Sequence, residues 1–147
     1  NETEPVSYIS NDNLLNVNSN DFSSLNNEIN ASSDSKVLNL TKDYAFNSLN
    51  NQKFCDGIDV DIDDLIIDGQ GHTINANKEA RIFNIKSNNV TLKNLVIING
   101  NSDSMGASVY WSGQNGQIIN TTIKNSSSIN LKNTNTLNIG GAIYFEK

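Results

Sequence analysis

The chain has little of several things that mark common protein classes. It holds a single cysteine, Cys55, which excludes an internal disulfide framework. With no Cys or His close by in sequence, Cys55 reads as a small buried hydrophobe rather than a reactive thiol. No apolar run approaches the ~18 residues of a membrane span. The longest are three or four residues, as in Leu65–Ile67 and Leu95–Ile98. Basic residues are scarce and scattered: 10 Lys and Arg against 16 Asp and Glu leave a formal charge of -6. That balance excludes a phosphate-binding surface for nucleic acid and a polybasic contact with a membrane. Only 36% of the 147 residues are hydrophobic, enough for one domain with a tail.

Asparagine is what the chain has instead, at about one residue in five. Such a composition either fails to fold or gives Asn many turns to occupy. The first residue is Asn1, not Met, so an upstream segment is expected to have been removed, a cleaved secretory signal being the natural candidate. Sequons at Asn1, Asn30, Asn39, Asn89, Asn120 and Asn125 fit an exported protein, although several arise by composition alone.

Residues 1–36 carry isolated apolar side chains without a period, so they read as a disordered Asn/Ser-rich tail or stalk. Structure is expected over 37–147. "TKDYAFNSLNNQKF" comes first, with Tyr44, Phe46, Leu49 and Phe54 able to share one side of a short helix. Helix or strand is open there, but its place suits an element covering the first edge of a sheet. From Gly57 onward, apolar segments of three to six residues alternate with Asn, Gly, Asp and Ser, the mark of strands between tight turns.

Long-period recurrence identifies the architecture. "DDLIIDGQGHTI" returns as "NNVTLKNLVI" and as "QNGQIINTTI", while "GASVYWSG" returns as "GGAIYFEK". Ile58, Ile82, Val109 and Ile143 are 24, 27 and 34 residues apart, the last step lengthened by the polar "SSSINLKNTNT". A period of this size signals a solenoid, here a parallel β-helix of three to four turns. A β-sandwich would show turns every 8 to 12 residues without such self-similarity. Stacked corners also give the asparagines a task, because Asn tolerates left-handed backbone and its amide can bond along the stack.

"IDVDIDDLIIDGQGHTI" concentrates the carboxylates. On a strand, Ile58, Val60 and Ile62 point inward while Asp59, Asp61 and Asp63 line the outside, about 7 Å apart. A calcium ion holds its oxygens at about 2.3 to 2.6 Å, so it cannot take all three, and a neighbouring pair offers only a weak cation contact. Like charges at that spacing repel by about 0.6 kcal/mol in water. Solvation and discouragement of sheet pairing therefore suffice to explain the row. His72 reads as an exposed corner residue with Asp68 as its nearest partner, and Arg81 as a solvated charge between turns. Tyr110, Trp111, Tyr144 and Phe145 would form a sugar-stacking strip if two of them faced outward on successive turns; otherwise they fill the core.

"GIDVDIDDLIIDGQGHTINA", "ARIFNIKSNNVTLKNLVIING" and "GGAIYF" resemble the adhesin-like surface proteins of methanogenic archaea. That family carries right-handed parallel β-helix repeats, related in pattern to the Gly-Gly-Ala-Ile repeats of bacterial polymorphic outer-membrane proteins. The likeness covers Val37 to Lys147, with "GASVY" departing from the doubled glycine. It implies a non-catalytic, extracellular module at the cell surface that attaches to glycans or proteins of other cells. It supplies no catalytic residues and no cofactor. The stop inside a fresh turn suggests an amino-terminal fragment of a longer polypeptide. Two other functions compete: a polysaccharide lyase, hydrolase or epimerase, and a carbohydrate-binding module using Tyr110, Trp111 and Tyr144. Fold alone separates none of these.

Overall fold

The computed structural model describes residues 20–128 and 141–147. The chain winds as a parallel β-helix of about four turns, preceded by a short helix. The first turn carries β1 (Val37–Asn39), β2 (Tyr44–Ala45) and β3 (Ile58–Val60). The second carries β4 (Ile66–Asp68), β5 (Thr73–Asn75) and β6 (Phe83–Ile85). The third adds β7 (Thr91–Lys93), β8 (Val96–Ile98), β9 (Asn101–Ser102) and β10 (Val109–Trp111). The fourth repeats that set as β11 (Gln117–Ile119), β12 (Thr122–Lys124), β13 (Ser127–Ser128) and β14 (Ile143–Phe145).

Corresponding strands stack in register. Three four-stranded parallel sheets form, β1-β4-β7-β11, β2-β5-β8-β12 and β3-β6-β10-β14, with β9 and β13 pairing beside them. Inner positions therefore make columns: Leu38, Ile67, Leu92 and Ile118 on the first sheet, and Tyr44, Ile74, Ile97 and Ile123 on the second. On the third, Ile58 meets Phe83, Val109 and Ile143, while Val60 meets Ile85, Trp111 and Phe145. No turn can bury these side chains alone; stacking buries those of the first three turns, while in the fourth Ile118, Ile123 and Ile143 are half-buried and Phe145 is exposed. The match of Tyr110 with Tyr144 and Trp111 with Phe145 agrees with the repeat in the sequence. One expected step shifts by a residue. Ile58 pairs with Phe83, not Ile82, because both Ile82 and Phe83 are buried and the apolar pattern cannot fix the parity there.

The corners belong to asparagine. Asn77, Asn89, Asn94, Asn99, Asn115, Asn120 and Asn125 all have positive φ, between 44° and 60°. Their amides also link turns. Asn94 donates to the Asp68 carboxylate at 3.0 Å, and Asn120 donates to Asn94 Oδ1 at 2.8 Å. Asn89 donates to Asp64 and Asn99 to Asn75, each at 3.0 Å.

The cap begins earlier than the composition suggests. Within the stretch read as tail, Phe22–Asn30 forms helix α1, with Asp21 as N-cap accepting from the Ser24 N–H at 3.1 Å. Phe22, Leu25 and Ile29 lie on one face and are fully buried, packing the helix on β2 and β3. The assignment of 20–36 to a disordered tail is thus corrected, and the rest of that tail lies outside the described residues. The segment proposed as the cap instead supplies β2 and a 3-10 turn over Gln52–Phe54. Tyr44, Phe46 and Phe54 are buried, but Leu49 is 88% exposed. Cys55 is exposed, contrary to expectation, because Phe54 takes the inward position of that turn. Beyond Ser128 the polar insertion also lies outside the described residues.

Candidate functional site

The outward column of the third sheet brings together three of the side chains singled out by sequence, Asp59, Tyr110 and Tyr144. In order along the stack it holds Asp59, Asn84, Tyr110 and Tyr144. Tyr110 and Tyr144 are both half-buried, with ring centroids 5.3 Å apart and planes inclined by 36°. Parallel register places them on the same face one turn apart, so the pair is held by backbone pairing rather than by loop conformation. Trp111 departs from the expectation of a glycan contact. It alternates to the inside, is fully buried, and packs on Phe145 at 5.3 Å. Among the described residues, the outward column of this sheet therefore carries the tyrosine pair, while Phe145, in register with Trp111, is 54% exposed at the last strand.

Arg81 backs this surface and was the residue least legible in the sequence. It is only 5% exposed, not a solvated charge. Its Nε donates to Gly106 O at 2.7 Å and its Nη1 to Asp56 O at 3.0 Å. Nη2 reaches Ser102 Oγ, Ser104 Oγ and Met105 O within 2.9 Å. The guanidinium carbon lies 5.4 Å from the Tyr110 ring centre, so the cation also faces the aromatic surface. Burial lowers the Arg81 pKa, with Asp56, Tyr110 and Asp103 opposing that shift by attraction. Burial also raises the Tyr110 hydroxyl pKa, helped by the neighbouring Glu146 carboxylate. Gly106 takes φ +72°, the backbone that delivers its carbonyl to Arg81.

The aspartates do not form the straight outer row expected of a continuous strand. β3 ends at Val60, and Asp63 and Asp64 sit in the following turn, Asp64 with φ +66°. Each of three carboxylates reaches the next turn. Asp59 pairs with Lys86 at 2.9 Å and accepts from Asn84 at 3.2 Å. Asp63 accepts the Asn88 N–H at 2.8 Å, and Asp64 accepts the Asn89 amide. Asp61 is exposed. Among the described residues no three His, Cys, Asp or Glu side chains converge as a metal-binding group.

His72 takes a different partner from the expected Asp68. Its Nδ1 lies 3.1 Å from Asp43, which also accepts the Thr73 N–H at 2.9 Å. Those bonds, Thr73 first and His72 second, hold the Asp43 carboxyl below its ordinary value. Asp68 is drawn into the wall, 7% exposed. Burial raises its pKa, but the Asn94 amide, the Gln70 N–H and Lys93 outweigh that and lower it overall.

No helix among the described residues is long and apolar enough to cross a membrane. Neither a family model, nor a curated protein, nor a solved structure matches the chain.

Proposed function

We propose that the chain is a non-catalytic, adhesin-like module of an exported β-solenoid, displayed at the cell surface and attaching to glycans or proteins of other cells. The observation that carries this reading is the in-register Tyr110–Tyr144 pair on the outer face of the third sheet. Two rings inclined to each other offer an apolar platform to the C–H face of a sugar. Asn84 and Asp59, next in the same column, place polar groups at its edge. A surface carried by stacked turns is pre-organised, so little ordering entropy opposes binding. The family resemblance and the sequons support export but rest on sequence alone.

The test uses adhesion to whole cells and to an immobilised panel of polysaccharides. The wild-type chain is expected to be retained, and the Tyr110→Ala/Tyr144→Ala variant to lose at least about tenfold in affinity. Undiminished retention of the double variant would remove the tyrosines from the proposal. Release of oligosaccharides, detected by mass spectrometry with or without calcium, would replace it with a polysaccharide-active enzyme.

A further inference from the structure

A groove lies on another part of the solenoid, at the corner joining the first and second sheets. It is shallow and open to solvent, of about 390 Å³, and is lined by Gln70, Asn94, Leu95, Val96, Asn120 and Thr122. The corner ladder passes through it. Asn94 Nδ2 is held by Asp68, and Asn120 Nδ2 is held by Asn94. Both amide orientations are thereby set, which leaves Asn120 Oδ1 as an acceptor with no partner among the described residues. The Gln70 side-chain amide and the Thr122 hydroxyl likewise have no partner among the described residues; all three residues are exposed and present these groups to solvent. Val96, half-buried on β8, adds aliphatic surface between them.

Chemistry narrows the ligand. An acceptor, an amide with one donor side and one acceptor side, and a hydroxyl match a molecule whose neighbouring groups each donate and accept. No ionised side chain lines the groove: Asp68 behind it is paired with Lys93 at 3.5 Å. The volume lies at the low end of the about 300–1,000 Å³ typical of small-molecule sites. We infer that this corner groove is a binding subsite for a neutral sugar, separate from the tyrosine pair. It deepens the attachment reading and rests on it, adding a second glycan contact on a different part of the same rigid coil.

The test is amide chemical-shift mapping of the labelled chain against neutral oligosaccharides containing mannose, galactose or N-acetylglucosamine, with an acidic uronate oligomer alongside. Shifts are expected at Gln70, Thr122 and the side-chain amides of Asn94 and Asn120. Gln70→Gly suits the left-handed backbone at that position (φ 52°), and Thr122→Ala removes only a hydroxyl. Each is expected to weaken neutral-sugar binding about tenfold, the loss of one hydrogen bond. Circular dichroism checks that both variants keep the β fold; if either does not, the wild-type map decides. Shifts confined to Tyr110 and Tyr144, shifts with the uronate alone, or no shifts with any sugar would each overturn the groove subsite. Adhesion of the wild-type chain to cells is scored separately. Adhesion undiminished by the two groove variants leaves the attachment reading standing without this subsite. Absence of wild-type adhesion sinks the attachment reading whatever the map shows.

Discussion

Asn51 is fully buried and its side chain makes four hydrogen bonds. Its Oδ1 accepts the backbone N–H groups of Phe22 and Asn47, and its Nδ2 donates to Asp21 and Ser23. One side chain thus joins the start of α1 to the loop after β2. Asn51→Ala leaves those two N–H groups without their acceptor and is expected to cost about 2–4 kcal/mol, read as a lower urea midpoint. Arg81 acts similarly at the third sheet. Arg81→Lys keeps the charge but cannot span acceptors held by a planar fork, so a loss of about 2 kcal/mol or more is expected in the same assay. Neither residue announces itself in the sequence. Asn51 is one asparagine among many, and a lone Arg between turns looks solvated until the fold brings Ser102, Ser104 and Gly106 around it. The corner asparagines are different: their role follows from the period, because equivalent positions recur one turn apart.

The decisive element is α1. It covers the first turn, where unpaired strand groups and apolar side chains would otherwise meet water. Phe22 packs edge-on against Phe46 at 5.3 Å, and the Tyr44 hydroxyl bonds the Glu28 carboxylate, tying helix to coil. Leu25→Ala is expected to cost about 2–5 kcal/mol by opening a cavity under the cap. Hydrogen exchange should then rise first in β2 and β3, the strands the helix touches; uniform exchange throughout would show that the cap does not seal the coil. The helix had a signature: Asp21 as N-cap, then apolar residues at Phe22, Leu25 and Ile29. Three apolar residues among Asn and Ser look like disorder because their packing surface is distant in sequence. Strand register was far more legible, since "VYW" and "IYF" share pattern as well as period, whereas the adjacent apolar pair Ile82–Phe83 hid the parity of one pairing.

For the molecule as a whole, carboxylates couple turns to pH. Asp43 and Asp68 both have lowered pKa values, so each binds a proton less readily in the folded chain than in the unfolded one. Their stabilisation is complete above the unfolded value of about 3.9 and is lost as pH falls through the lower folded values. The urea midpoint is therefore expected to drop between about pH 5 and pH 2, and less steeply in Asp68→Asn. An equal drop in that variant would assign the acid sensitivity to other groups. The same stacking that couples neighbouring turns makes the coil a device for extension. Ile67 to Leu92 is one full turn of 25 residues, held to its neighbours by parallel pairing. Tension along the axis would peel the coil a turn at a time, and each released turn adds about 80 Å of contour at about 3.3–3.6 Å per residue. A pulled molecule should lengthen in steps of that size, dissipating load in instalments instead of failing at once.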